Sequence, residues 1–70
     1  MKTLVDARGF SCPQPVLMAR QAIEKGAFPI DVWVDSVTSR ENVRRMAEMN
    51  NCKVEIESAE DEFHVVLTRD

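Results

Sequence analysis

The 70-residue sequence is sparing with the residues that mark many protein classes. It has two glycines, two cysteines, one histidine, one tryptophan and no tyrosine. Two cysteines, Cys12 and Cys52, are too few for a disulfide framework, and with His64 too few for a four-ligand zinc site. A disulfide is in any case disfavoured in a reducing compartment. No apolar run approaches the ~18 residues that a membrane span needs, so no membrane association is expected. The opening Met1-Lys2-Thr3-Leu4-Val5-Asp6 lacks the apolar stretch of a secretory signal, and a cytoplasmic location is expected. A basic excess is also lacking. Formal net charge is −3, which argues against a nucleic-acid binder. Finally, the chain lacks length. A domain this small buries only about 60% of the surface its unfolded chain exposes. That excludes a barrel, a nucleotide domain with a partner domain, or a large enclosed active site.

What remains is an ordinary globular composition, 44% hydrophobic and 30% charged, too apolar for disorder. The whole chain, 1–70, reads as one domain. Charge is uneven. Residues 1–35 hold four basic and four acidic groups, and residues 36–70 hold five basic and eight acidic.

The pattern predicts the order βαβαββ. Leu4-Val5 begins a short strand that Arg8-Gly9 stops. Pro13 stands where a first helical residue would, since that position has no helical partner for an N–H. From Pro15 to Lys25 the spacing of Val16, Ala19 and Ile23 is helical, and Gly26 suits the left-handed residue after the helix. Ile30, Val32 and Val34 alternate with Asp31, Trp33 and Asp35, as in a strand with one buried face. Thr38-x-x-Glu41 reads as a capping box. A second helix follows, with Val43, Met46 and Ala47 inward and Met18 and Met49 flanking Met46. Asn50-Asn51 can end it. Cys52, Val54 and Ile56, then Phe63, Val65 and Leu67, form a hairpin about a Ser58–Asp61 turn.

Right-handed crossovers put both helices on one face of a four-stranded mixed sheet, a two-layer α+β sandwich. Trp33, His64 and Val66 then lie on the open face. The loop carrying Cys12 and the loop from Asp35 to Thr38 share the carboxyl edge of the parallel strands, which ligands favour. Cys52 opens a strand at the opposite edge, too far from Cys12 for a disulfide.

The informative segment is Gly9-Phe10-Ser11-Cys12-Pro13-Gln14-Pro15. A cysteine just ahead of a helix feels its positive end, which lowers a thiol from about 8.5, in documented cases to roughly 3.5–7.5. Here the pull is modest, because Pro13 and Pro15 remove two first-turn amide donors. A thiol titrating near neutrality is expected, which suits reversible exchange. The prolines fix φ near about −65° and hold the preceding residue extended. The only histidine, His64, is expected in the fourth strand facing the open side, which disfavours a Cys–His nucleophile, and no Cys-x-x-Cys pair is present. A presented thiol without base or resolving cysteine suits carrying a group rather than turning over a substrate. A lone cysteine is more often a small buried hydrophobe, and Cys52 receives that reading. Trp33 is either an incidental ring or a partner anchor. Arg40, Arg44 and Arg45 read as a solvated helix face, with Arg40 and Arg44 as candidate partner contacts.

Asp6, Gly9 and Cys12-Pro-Gln-Pro15, followed by Val16 and a short helix, resemble the TusA/SirA/YedF family of small sulfur carriers. The resemblance covers essentially the whole chain. It implies a two-layer sandwich like the C-terminal domain of bacterial translation initiation factor three. It also implies that Cys12 accepts sulfane sulfur as a persulfide and passes it on. Implied donors are cysteine desulfurases and rhodanese-like proteins, with a downstream acceptor protein, and no cofactor beyond the transient persulfide. Gly9 would then allow the turn, Asp6 would order the loop through backbone hydrogen bonds, and Pro13 and Pro15 would shape the helix start. Phe10 stands where the family usually has leucine. Arg40-Glu41-Asn42-Val43-Arg44-Arg45 is closer to the YedF branch, which makes a selenium-handling relay an alternative. A non-catalytic RNA- or protein-binding regulatory module is another.

Overall fold

The computed structural model describes residues 3–11 and 13–69. The elements are β1 (Thr3–Asp6), α1 (Gln14–Glu24), β2 (Ile30–Val34), α2 (Val37–Met49), β3 (Lys53–Ala59) and β4 (Glu62–Thr68). The expected order βαβαββ and the two-layer α+β architecture hold. The strands form one sheet in the order β1-β2-β4-β3. β1 pairs parallel with β2, with Val5 opposite Val32. β4 runs antiparallel to both β2 and β3, pairing Val32 with Val65 and Val65 with Ile56. The first crossover therefore joins neighbours, and the second skips over β4.

Period-two alternation explains the sheet. Ile30, Val32 and Val34 are fully buried, as are Val65 and Leu67, while Asp31, Trp33, His64 and Val66 alternate onto the other face. The helices cover the buried face with Ala19, Ala22 and Ile23 from α1 and Val43 and Ala47 from α2. Small residues on the helices against β-branched residues on the strands let the two layers approach closely.

Element ends explain the remaining chain. After α1, Gly26 has φ +68°. Its N–H donates to the Ile23 carbonyl and the Ala27 N–H to the Ala22 carbonyl, the paired bonds that close a helix on a left-handed residue. Asn51 plays the same part after α2, with φ 63°. The β3–β4 turn is tighter than expected: only Glu60 and Asp61 lie between the strands, and Asp61 takes positive φ.

Three expectations need correction. Pro13 is the residue flanking α1, not its first helical residue, with φ −99° and ψ 14°. Pro15 is inside the first turn and fully buried. The cap of α2 is Ser36, not Thr38. Ser36 is extended and its hydroxyl accepts the Ser39 N–H at 3.1 Å, which leaves Thr38 inside the first turn. Met49 does not flank the core; it is the last residue of α2 and 84% exposed.

Candidate functional site

The site is built where β1 and β2 end. At the end of β1, the Ala7 N–H donates to the Trp33 carbonyl at 2.9 Å, the last rung of the parallel ladder. The chain then turns through Arg8 and Gly9. Gly9 has φ +82°, a conformation that costs any other L-residue roughly 1–2 kcal/mol. This twist aims its N–H at the next loop, where Asp35 Oδ2 accepts it at 2.8 Å. Ser11 closes the turn onto α1 by accepting the Gln14 N–H at 2.9 Å. Cys12 itself lies outside the described residues, between Ser11 and Pro13.

Gly9, Phe10 and Ser11 face Asp35, Ser36, Thr38 and Ser39 across a groove of about 460 Å³. The loop bearing Cys12 and the loop that starts α2 thus meet at one edge of the sheet. Phe10 rims this groove, 48% exposed. The helix end behind it is poor in free amides. Pro13 and Pro15 carry no N–H, and that of Gln14 is engaged by Ser11.

A second set of contacts braces the same loop from the open sheet face. The Asp6 carboxylate accepts the Arg8 backbone N–H at 3.2 Å and two guanidinium bonds at 2.9 and 2.8 Å. Arg8 also reaches Glu62 Oε1 at 3.3 Å and lies 4.8 Å from the centre of the Trp33 ring. Trp33 in turn stacks on His64, its cross-strand neighbour, with centroids 4.6 Å apart and planes 9° apart. His64 Nε2 meets Glu62 Oε2 at 2.7 Å. The Arg8 hydrogen bonds lower the Asp6 carboxyl from 3.8 to about 2, and Asp6 raises Arg8 in return. Glu62 is held below its ordinary value first by His64, then by the Arg8 charge. Trp33 is therefore half-buried under its neighbours rather than standing free. Among the described residues its Nε1 and the Asp31 Oδ1 are buried without a hydrogen-bond partner.

The structure brings Asp6, Gly9, Pro13 and Pro15 to the loop and helix start, and connects Trp33 to that loop through Arg8. It does not bring Arg40 or Arg44 there. Arg44 is held by Glu41 and Glu48 at 2.9 and 2.8 Å. Arg40 pairs with Glu41 at 3.1 Å and lies over the Phe63 ring. Asp35 and Glu62 are site residues that sequence reasoning did not single out. Asp35 had a signal, since it ends β2 at the ligand-favoured edge. Glu62 had none, because it is 54 residues from Arg8. Cys52 sits at the other edge, 7% exposed, with its sulfur 3.7 Å from the Asn50 carbonyl and from Arg69 Nη2. Among the described residues no three His, Cys, Asp or Glu side chains converge to hold a metal, and no helix is long and apolar enough to cross a membrane.

These elements define a small two-layer βαβαββ sandwich whose tied turn opens onto a proline-flanked helix. The family model for sulfurtransferase TusA matches residues 3–69, and the chain belongs to that family. Among solved structures, the SirA-like protein from Desulfitobacterium hafniense is similar over 100% of both chains, with 29% identity and a TM-score of 0.84. No curated protein sequence matches.

Proposed function

We propose that this protein is a cytoplasmic sulfur carrier that takes sulfane sulfur as a persulfide on Cys12 and relays it to an acceptor protein. The observation that carries the reading is the Gly9–Asp35 bond. It fixes the turn leading into Cys12 at the carboxyl edge of the parallel strands, in a chain of the sulfurtransferase TusA family. A carrier needs such a stiff stalk, because partners must find one sulfur atom repeatedly in the same place.

The chemistry is thiol exchange. The Cys12 thiolate attacks the outer sulfur of a donor persulfide, the donor's S–S bond breaks, and its thiolate leaves. Cys12 then holds the persulfide. An acceptor thiolate takes the outer sulfur in the same way and regenerates the Cys12 thiolate. Electrons balance at each step without an external oxidant. The donor is a cysteine desulfurase or a rhodanese-like protein. Among the described residues no histidine stands beside the loop segment 9–11, so deprotonation is left to solvent and to the thiol's own acidity. An RNA-binding role is disfavoured by charge, since Arg40 and Arg44 are already paired with Glu41 and Glu48.

The test is loading by a cysteine desulfurase with cysteine, read by intact-mass and peptide mass spectrometry. The expected result is a gain of one sulfur mass on Cys12, lost on reduction and absent in Cys12→Ser. Sulfur on Cys52 alone, or on neither cysteine, overturns the reading. A gain of one selenium mass from a selenium source, in preference to sulfur, redirects the relay to selenium.

A further inference from the structure

We propose that the seam between α1 and α2 is the docking groove for an acidic protein segment that carries an apolar side chain. This groove brings the partner to Cys12, so the proposal rests on Cys12 being the reactive thiol. The groove has a volume of about 520 Å³ and is lined by Pro13, Val16, Arg20, Arg45, Met46 and Met49, among others. It begins at Pro13, the residue after Cys12, and runs away from the Gly9–Asp35 tie along both helices. Its floor is apolar. Val16 and Met46 are partly buried against the core, and Met49 is 84% exposed. Together these side chains give a partner's apolar group a surface to pack on. Two methionines make such a surface adaptable to more than one partner.

Charge selects the occupant. The sequence is acidic overall, with net charge −3, yet both walls of this groove are arginines. Elsewhere, Arg8, Arg40 and Arg44 are committed to nearby carboxylates at 2.8 to 3.3 Å. Arg45 bonds the Asn42 Oδ1 at 3.1 Å and meets no carboxylate among the described residues. Among the described residues Arg20 meets only Glu24 one turn away, with both side chains more than half exposed at 63% and 64%, a contact worth little in water. Positive charge held only by weak or neutral partners therefore flanks an apolar floor that starts at Pro13. The complement is an apolar side chain between carboxylates. RNA fits less well, since no aromatic ring lines the groove for bases to stack on. A second copy of the chain is the competing occupant, through Glu55 and Glu57 on β3.

Two short peptides of equal length test this. Each carries one leucine and one cysteine activated as a thionitrobenzoate mixed disulfide. In one the leucine is flanked by glutamates, in the other by lysines. The Cys12 thiolate attacks the peptide sulfur, forms a protein–peptide disulfide and expels the coloured thionitrobenzoate anion. The peptide disulfide is the oxidant.

The glutamate peptide is expected to react about tenfold faster at low salt, against the sign of the net charge. The preference should collapse at high salt and invert in R20E/R45E. Met49→Ala should slow the glutamate peptide. Neutral iodoacetamide should alkylate Cys12 equally in wild type and R20E/R45E, which separates docking from thiol chemistry. Equal rates for the two peptides, or no response to R20E/R45E, overturn the groove. So does wild-type self-association that Arg45→Glu abolishes, because the occupant is then a second copy. If the peptide preference holds while Cys12 never accepts sulfur, the groove stands and the carrier reading falls.

Discussion

The Gly9 amide and the Asp35 carboxylate, 26 residues apart in sequence, meet at 2.8 Å and join the two loops at the carboxyl edge of the sheet. One loop leads to Cys12; the other starts α2. A backbone donor bonded to an ionised acceptor is among the stronger hydrogen bonds of a small protein. Asp35→Ala should therefore free the Gly9 amide. Hydrogen exchange should accelerate at Gly9, while the amides of Val32 and Val65 in the sheet stay protected. Unchanged exchange at Gly9 would show that the turn holds itself.

Gly9 and Gly26 allow a cleaner comparison. Both have positive φ, +82° and +68°, and at both an added Cβ would meet nothing within 4 Å. Alanine at either site therefore costs backbone strain alone, roughly 1–2 kcal/mol. Gly9→Ala and Gly26→Ala should lower the urea midpoint by similar amounts. A much larger loss at Gly9 would mean that the Asp35 tie is broken as well.

Ser36 and Thr38 separate the observed cap from the expected one. The Ser36 hydroxyl accepts the Ser39 N–H at 3.1 Å, so Ser36→Ala should cost about 1 kcal/mol of stability. Thr38→Ala should be near neutral. Thermal unfolding of the two variants checks the order, and the reverse order would restore the Thr38 capping box.

These cases show what local pattern carries and what it does not. The alternation Ile30-Val32-Val34 and Phe63-Val65-Leu67 named the strands and their buried face, because burial on a sheet has period two. Gly26 marked the end of α1 for an equally local reason. Capping was ambiguous because Ser36, Thr38 and Ser39 are all oxygen-bearing, and only the backbone angles decide which one caps. Trp33 belonged to the open face as expected. Its cover by His64 and Arg8 depends on contacts between separate elements, which no local spacing encodes. Met49 carried an apolar label but stands exposed at the last position of α2. For the candidate site, the prolines marked where α1 starts. Its anchor Asp35 was legible only as a place at the sheet edge.

Asp6 makes the acid side of the stability curve a test of the loop brace. Its carboxyl is lowered from 3.8 to about 2 by Arg8, so the folded state favours the ionised form. The unfolded chain binds a proton first as pH falls. The stability this contributes is present above about pH 4 and is lost as pH drops toward 2. Asp6→Asn should flatten the fall in melting temperature across that window, most visibly at low salt, since the pair is exposed and screened. An unaltered acid limb would assign the loss to Glu41 and Glu62, which are also held low by arginine and histidine neighbours.

Cys52 offers an internal clock for unfolding. It is 7% exposed and packs with Ala47 and Leu67 in the core. In a Cys12→Ser background it is the only thiol. Its modification must then wait for the β3 end of the sheet to open. The rate of disulfide exchange with a chromogenic reagent should be slow in buffer. It should rise with urea along the unfolding curve measured by Trp33 fluorescence. Fast labelling in buffer would mean that the Asn50–Cys52 corner opens on its own. The protein would then present an accessible thiol at the edge opposite the Gly9–Asp35 tie.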